Sequence, residues 1–309
     1  MSLISVCIPS FNHGRFVGRS IESALAQTET DIEVLLIDDG STDETLEVAR
    51  QYHDPRFRIS INPSRLGLGA NFNRALDAAH GEYLKILCDD DLLYPGALKT
   101  LRDGLEANPS ASFATSAWHV IDESARVLET KRLVPSTRET YRSVSLKEVA
   151  RSSWLFRNVI GGPSSVLFRK ALMREVHFRP AFKQMLDFEC WLQLLRRGPL
   201  LYSPMVLSAY RHHVGTQSTH AWEQCQAADD LLAISIELGR ERRQMEGAIS
   251  LSDIKRLQFL CVLRAASGTV GSAARGNLVL AQRNWELCKK GTQYLRGADS
   301  LEGDRSAYP

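Results

Sequence analysis

Hydrophobic and polar positions follow two different periods in the first third of the chain. Four short, mostly apolar runs, typical of strands buried in a sheet, occupy residues 4–9, 32–37, 57–61 and 83–87. Apolar residues recur at helical spacing in residues 15–27, in the segment after Ser41, and in residues 70–79 and 95–107. This alternation of strands and helices predicts right-handed crossovers and a parallel sheet. Ser41, followed by Glu44, is predicted to cap the second helix.

The pattern changes after residue 109. Residues 112–121 and 127–133 predict a hairpin that turns at residues 122–124. Further elements are predicted as a helix at 144–156, a strand at 164–168, a helix at 187–196 and a strand at 206–209. From His220 onward the chain predicts helices with weaker patterning, at 231–238, 254–266 and 278–288. We therefore predict an α/β domain over residues 1–219 and a helical extension over residues 220–309.

Two acidic clusters lie where strands are predicted to end. Asp38 and Asp39 follow the second strand, and the run Asp89–Asp91 follows the fourth. Aspartates at such positions often serve as caps or turns, which explains one residue but not three in a row. Parallel sheets bind ligands at the carboxyl ends of their strands, and Mg²⁺ and Mn²⁺ prefer oxygen ligands. The sequence therefore predicts a metal-diphosphate site at this edge.

Composition excludes several other classes of protein. The formal net charge is +2, so no nucleic-acid partner is indicated. The 6 cysteines form no Cys-x-x-Cys pair and favour reduced core residues over disulfides or a zinc site. The chain begins directly with a strand and contains no run of about 18 apolar residues, so neither a signal peptide nor a membrane span is expected. These features predict a cytoplasmic protein.

Two other chemical interpretations have weaker support. The pair Gly67 and Gly69 resembles part of a dinucleotide fingerprint, but Phe72 replaces the third glycine and the loop follows the third strand. An aspartate after a strand also occurs in phosphatases and phospho-accepting domains. Those proteins need the nucleophile on the first strand, whereas Asp38 follows the second. Phosphoryl transfer is therefore kept only as a rival hypothesis.

Several segments together resemble glycosyltransferase family 2, which has the GT-A fold. They are residues 4–12, 38–43, 67–73, 81–83 and 88–95, followed by Gly161–Ser165, Asp187 and the element from Tyr210 to His213. The resemblance covers roughly residues 3–218. It implies a Rossmann-like mixed sheet flanked by helices, here with a C-terminal helical extension.

The resemblance also implies a site for a nucleotide-sugar donor. Phe11 would offer an aromatic face to the nucleoside, Asp39 would hydrogen-bond the base, and Arg65 would close over it. The run Asp89–Asp91 corresponds to the Asp-x-Asp region, which contacts the ribose and a divalent metal. The residues implied to bind the nucleotide are Pro9, Ser10, Phe11, Asp38, Asp39, Arg65, Asp89 and Asp90.

The implied cofactor is Mn²⁺ or Mg²⁺ on the donor diphosphate. The family often begins the acidic motif with an aspartate where this chain has Cys88, so the choice among the three aspartates is open, and Asp91 is favoured. His213 matches a distal histidine that adds a metal ligand. Asp187 is the candidate base that activates the acceptor hydroxyl, although Leu186 stands where the family commonly has a glutamate.

The resemblance implies inverting transfer from a nucleoside-diphosphate sugar, with UDP favoured, to a hydroxyl of a glycan or lipid-linked acceptor in bacterial surface polysaccharide synthesis. The alternative is a sugar-binding or interaction module of the same fold without turnover. The extension beyond residue 220 carries basic residues among apolar ones. They predict either a helical cap with solvated charges, or a surface for self-association or peripheral contact with the inner membrane face. These residues are Arg240, Arg242, Arg243, Lys255, Arg256, Lys289 and Lys290.

Overall fold

A computed structural model describes residues 2–133, 140–151, 158, 160–213, 226–241, 282, 284–289 and 292. The chain divides into two compact units. The first comprises Met1–Ser145, Val159–Ala181 and Leu186–Val214, and the second comprises Leu146–Asn158, Phe182–Met185 and Gly215–Pro309. The predicted boundary between residues 219 and 220 falls outside the described residues, and it stays a prediction.

The described residues include one mixed sheet and seven α-helices, in addition to the helical residues 284–289. The strands are β1 (Ile4–Ser10), β2 (Ile32–Asp38), β3 (Phe57–Ile61), β4 (Tyr83–Ile86), β5 (Leu92–Leu93), β6 (Phe113–Ile121), β7 (Val127–Lys131), β8 (Arg142–Val144), β9 (Val166–Arg169) and β10 (Leu200–Arg211). The helices are α1 (Gly14–Leu25), α2 (Thr45–Ala49), α3 (Leu68–Ala78), α4 (Ala97–Ala107), α5 (Leu146–Arg151), α6 (Leu186–Leu195) and α7 (Gln226–Glu241). The predicted order of strands and helices is confirmed through α4, except that the short strand β5 between β4 and α4 was not predicted.

The sheet has the strand order β3-β2-β1-β4-β9-β6-β10-β5, with β7 on β6 and β8 on β10. Strands β1 to β4 pair in parallel, as the crossovers predict. Strand β9 then runs antiparallel between β4 and β6, and β10 runs parallel to β6. Strand β10 is longer than the predicted 206–209 because it pairs with β6 along most of its length. It also pairs with β5 just after the acidic run 89–91.

Burial explains why the first strands are apolar. Nearly every residue of β1 and β2 is buried, because helices cover both faces of a parallel sheet. Helices α1 and α4 contribute Val17, Ile21, Leu98 and Leu101 to the core that also holds Leu36 of β2. Each such side chain stabilises the fold by about 1.5–3 kcal/mol. The core therefore fixes the strand ends that carry the acidic residues.

The predicted cap at Ser41 is wrong. Helix α2 begins at Thr45, and Glu44 occupies the position before it. The Asp38 carboxylate accepts hydrogen bonds from the backbone N–H groups of Gly40 and Ser41, which keeps this turn outside the helix. The Ser41 hydroxyl instead accepts a hydrogen bond from the Asn12 N–H at 2.9 Å.

The second unit contains α5 and α7, and residues 284–289 are also helical. One carboxylate oxygen of Asp230 accepts hydrogen bonds from the backbone N–H groups of Lys183, Gln184 and Met185 at 2.9, 2.7 and 2.9 Å. The predicted helix at 254–266 and most of the basic residues of the extension lie outside the described residues. None of the described helices combines the length and apolar content needed to cross a membrane.

Candidate active site

The carboxyl ends of β1, β2 and β4 bring together most of the residues predicted to bind the donor. Parallel pairing puts Ser10 beside Asp38 at the ends of β1 and β2. Strand β4 pairs with the other side of β1 and leads into the acidic run. We call Asp38–Asp39 the first acidic turn and Asp89–Asp91 the second acidic turn. Both lie at the carboxyl ends of the parallel strands, which is the edge where sheets of this kind bind ligands.

The first acidic turn binds backbone N–H groups. The Asp39 carboxylate accepts hydrogen bonds from the N–H groups of Leu66 and Gly67, both at 2.8 Å, and from the side-chain amide of Asn62 at 2.9 Å. Asp38 binds Gly40 and Ser41, as described above. These contacts fix the loop between β3 and α3, where Gly67 has a φ of 86° that favours glycine.

The aromatic face predicted to receive the nucleoside is covered by an arginine. The guanidinium carbon of Arg65 lies 3.9 Å from the centre of the Phe11 ring, which is a cation–π contact. Arg65 is exposed and Phe11 is partly exposed. The loop that Asp39 fixes therefore places Arg65 on Phe11, next to the predicted base-binding residue.

The second acidic turn binds side chains from distant segments. The Asp89 carboxylate accepts hydrogen bonds from the Ser10 hydroxyl at 2.6 Å and the Phe11 N–H at 3.2 Å. Its other oxygen lies 2.6 Å from Nδ1 of His13. Hydrogen bonding to Asp89 raises the pKa of His13 from 6.5 to about 9. Sequence analysis missed His13, which directly follows the segment 4–12 that carries the family resemblance.

Asp90 faces the histidine that was predicted as a distal metal ligand. The Nε2 atom of His213 lies 3.1 Å from the Asp90 carboxylate, and both side chains are buried. The His213 ring packs edge-on against His13, with 5.6 Å between ring centres, and lies 4.7 Å from the centre of the Phe16 ring. The sequence favoured Asp91 as the partner of His213, whereas the hydrogen-bonding distance joins His213 to Asp90.

Asp91 has different partners. Its carboxylate accepts hydrogen bonds from the Ser164 hydroxyl at 2.5 Å and from the Arg211 N–H at 2.8 Å. Burial raises the pKa of Asp91 well above its ordinary value. The buried Arg211 side chain also donates to the carbonyl oxygen of Asp90 at 2.7 Å. Ser164 and Arg211 thus fix the second acidic turn, and sequence analysis assigned no such role to either.

The donor atoms at the second acidic turn fit a divalent cation. The Cys88 Sγ and the carboxylate oxygens of Asp90 and Asp91 all lie within 4.8 Å of one another. His213 adds an imidazole nitrogen beside Asp90. Carboxylates and imidazole are ordinary ligands of Mn²⁺ and related cations. Burial raises the pKa of the Cys88 thiol.

Asp187, the predicted base, lies in the first turn of α6. One of its carboxylate oxygens accepts a hydrogen bond from the Phe188 N–H at 2.7 Å. A Cβ atom added to Gly69 would lie 3.3 Å from Cδ1 of Leu186, so the starts of α3 and α6 are neighbours. Further along α6, the indole N–H of Trp191 donates to the Gly161 carbonyl at 3.0 Å. The start of α6 therefore lies beside the loop that Asp39 fixes.

Comparison with known proteins decides the family. A family model described as Glycosyl transferase family 2 matches residues 5–176. The chain belongs to this family. It is therefore an enzyme, a glycosyltransferase of family 2. The family 2 chain is 33% identical over 227 residues to the uncharacterized protein MT1568 of Mycobacterium tuberculosis, covering 70% of this chain and 69% of that protein. Several other curated relatives are longer, and the chain spans 18% to 34% of their length.

Two solved structures share the fold of this family 2 enzyme. S. aureus TarS 1–349 in complex with UDP-GlcNAc has a TM-score of 0.59 and 18% identity, over 94% of this chain and 92% of that chain. The mannosyltransferase PcManGT from Pyrobaculum calidifontis, in complex with GDP-Man and Mn²⁺, has a TM-score of 0.58 and 19% identity, over 96% and 84%. These likenesses confirm the predicted GT-A-like mixed sheet flanked by helices.

Proposed function

We propose that the enzyme transfers a sugar from a UDP-sugar to a hydroxyl of a glycan or lipid-linked acceptor, with inversion at the anomeric carbon. The complex of TarS with UDP-GlcNAc supports the choice of uridine. The complex of PcManGT with GDP-Man supports the alternative of guanosine. A bacterial surface polysaccharide built at the inner membrane face is the acceptor system that we favour.

The contact between Asp90 and His213 carries this proposal. These two groups come from distant parts of the chain and meet at 3.1 Å at the ligand-binding edge of the sheet. In the proposal they hold Mn²⁺ or Mg²⁺ together with Asp91, which the sequence favoured and whose carboxylate lies within 4.8 Å of the Asp90 carboxylate. Asp91 supports the site through Ser164 and Arg211. A divalent cation, when bound, neutralises the charge of the diphosphate as it leaves.

The nucleoside is proposed to lie against Phe11, between the two acidic turns. Phe11 is the ring on which the base stacks, and Arg65 moves from its contact with Phe11 to close over that base. Asp89, which Ser10 orients, is proposed to bind the ribose hydroxyls. The proposed nucleotide-binding set remains Pro9, Ser10, Phe11, Asp38, Asp39, Arg65, Asp89 and Asp90.

Asp187 is proposed as the base that removes the proton from the acceptor hydroxyl. Direct displacement needs this group on the side of the sugar opposite the leaving diphosphate. The position of Asp187 in the first turn of α6, beside the start of α3, supports the proposal. The hydrogen bond from the Phe188 N–H holds one oxygen of the Asp187 carboxylate in place.

The test measures donor binding and transfer separately. A panel of nucleotide sugars is screened with Mn²⁺ for thermal stabilisation of the protein, and release of nucleoside diphosphate is followed with the donor that binds. We expect Asp187→Asn to lose transfer by at least about 1000-fold while donor affinity stays within about twofold. The control is Asp77→Asn, because Asp77 is exposed. Glu189 is closer to Asp187, but it forms an ion pair with Arg179, so Glu189→Gln would not be a suitable control.

Near-normal turnover by Asp187→Asn would refute the assignment of the base. Donor binding without release by the wild type would favour the sugar-binding module instead.

A further inference from the structure

One carboxylate of the C-terminal extension binds the backbone just before α6. A single oxygen of Asp230, on α7, accepts hydrogen bonds from the N–H groups of Lys183, Gln184 and Met185 at 2.9, 2.7 and 2.9 Å. Asp230 is buried, and both segments belong to the second unit. Hydrogen bonds to a carboxylate are roughly twice as strong as those between neutral groups. Asp230 therefore fixes the path of residues 183–185.

Helix α7 is itself packed, which holds the Asp230 carboxylate in place. After Asp230, five apolar side chains of this helix are almost fully enclosed. They are Leu231, Leu232, Ile234, Ile236 and Leu238, each at most 3% exposed. In and beside the bound segment, Phe182 and Met185 are also buried. A functional group on a packed helix keeps its position better than one on a loop, so α7 is a firm base for this contact.

The segment that Asp230 binds leads directly into the first turn of α6. Met185 precedes Leu186, where α6 begins, and Asp187 is the next residue. N–H groups at and before the start of a helix lack partners within that helix, and the helix dipole favours a carboxylate near them. Asp230 thus acts from another helix as a cap on the entry to α6. Loss of its carboxylate would release the backbone two residues before Asp187.

The position of Asp187 matters because a general base must lie within hydrogen-bonding reach of the proton that it removes. A displacement of about 1 Å in a reacting group can lower the rate about 100-fold. We propose that Asp230 is a positioning residue of the transfer reaction, and that it sets the place of Asp187 by fixing the entry to α6. The inference rests on the proposed function, because Asp187 is the base proposed there. It gives the C-terminal extension a role in the chemical step.

The first experiment separates the chemical step from donor binding. Asp230→Ala removes the acceptor of three N–H groups, and turnover of the whole chain is measured with Mn²⁺ and the nucleotide sugar selected by the thermal screen. We expect kcat to fall about 100-fold while the donor KM stays within about twofold. Asp230→Asn keeps an oxygen acceptor, so its kcat should fall only about tenfold. An unchanged kcat in Asp230→Ala would overturn the proposal.

The second experiment determines whether Asp230 acts through Asp187. The variant Asp187→Asn is compared with the double variant that also carries Asp230→Ala. If Asp230 acts by placing the Asp187 carboxylate, its loss should lower kcat by less than about twofold in the Asp187→Asn background. A general structural defect would lower kcat by the same factor in both backgrounds. Equal factors in the two backgrounds would therefore overturn the proposal.

A control and a measurement of folding complete the test. Glu286 is an exposed acid of the same unit that pairs with Lys289, and Glu286→Ala should keep the wild-type kcat. Thermal unfolding shows which variants are folded, and Asp230→Asn takes the place of Asp230→Ala in both experiments if the latter does not fold.

The failure of this inference differs from the failure of the proposed function. Loss of transfer in Asp187→Asn together with a wild-type rate in Asp230→Ala would overturn only the role of Asp230. Near-normal turnover by Asp187→Asn would overturn the proposed base and, with it, the positioning role of Asp230.

Discussion

The two acidic turns lie at the same edge of the sheet, but their carboxylates have different partners. Asp38 and Asp39 of the first turn bind backbone N–H groups of adjacent loops, at Gly40, Ser41, Leu66 and Gly67. The second turn binds mainly side chains that come from far along the chain, which are Ser10, His13, Ser164 and His213. Both turns look alike in sequence, as aspartates after an apolar strand.

The difference in hydrogen-bond partners indicates that the two acidic turns have different roles. A carboxylate bound by backbone N–H groups fixes the shape of a loop, because its partners cannot move without the loop. A carboxylate beside a histidine has a partner that can change its protonation state or turn to another ligand. A ligand-binding site requires partners of this kind. The first turn is therefore expected to act mainly on loop structure and stability, and the second mainly on activity. Variants of each turn test this division.

The largest effect is expected at the second turn. Asp90→Asn keeps the shape of the side chain but removes the charge beside His213, and we expect turnover to fall by at least about 100-fold. The melting temperature should change little, because the amide can still accept a hydrogen bond. Initial rates of diphosphate release with Mn²⁺, and thermal unfolding of the same samples, provide the measurements. The exposed Asp77 on α3 supplies the control Asp77→Asn. A large loss of stability in Asp90→Asn would contradict the division between the turns.

The next effect is expected at the first turn, and mainly on stability. Asp39→Ala leaves the side-chain amide of Asn62 and the N–H groups of Leu66 and Gly67 without their acceptor. We expect the free energy of unfolding to fall by about 2 kcal/mol, measured by urea denaturation, since Asp39 and Asn62 are buried.

The matched variant Asp39→Asn keeps one oxygen acceptor in place. It should therefore lose less stability than Asp39→Ala. Equal losses in the two variants would show that the hydrogen bonds to the loop do not stabilise it. A loss of activity in Asp39→Ala without any loss of stability would give the first turn the role assigned to the second.

The sequence was sufficient to predict local structure where periodicity and strand ends are clear. The strands at 4–9, 32–37 and 57–61, and the acidic ends of β2 and β4, needed only the pattern of apolar residues. The cap at Ser41 was predicted incorrectly because the sequence does not show that Asp38 binds the N–H of that residue first. At the observed start of α2, the Thr45 N–H donates to the Asp43 carboxylate at 3.0 Å.

The partners within the site depended on long-range pairing. Asp90 and His213 meet because β10 pairs with both β6 and β5, which brings the end of β10 to the acidic turn. No local signal distinguishes Asp90 from Asp91 as the neighbour of His213. His13 is similar, because its partner Asp89 lies at the end of another strand. The run of aspartates after an apolar strand identifies the turn, but the register of the sheet determines which carboxylate oxygen faces which side chain.

A further effect on stability is expected from the ion pair of His13 with Asp89. The folded-state pKa of His13 is raised to about 9 from 6.5, so protonated His13 stabilises the fold. This contribution is fully present below pH 6.5, and it is lost as the pH rises through about 9.

We expect the difference in unfolding free energy between wild type and His13→Gln to shrink across this interval. Urea denaturation with a chelator present, at pH values on either side of it, measures the difference without bound cations. The exposed His80, which contacts Glu33, provides His80→Gln as a control. A difference that stays constant from below pH 6.5 to above pH 9 would show that His13 packs against the second turn without carrying a proton for it.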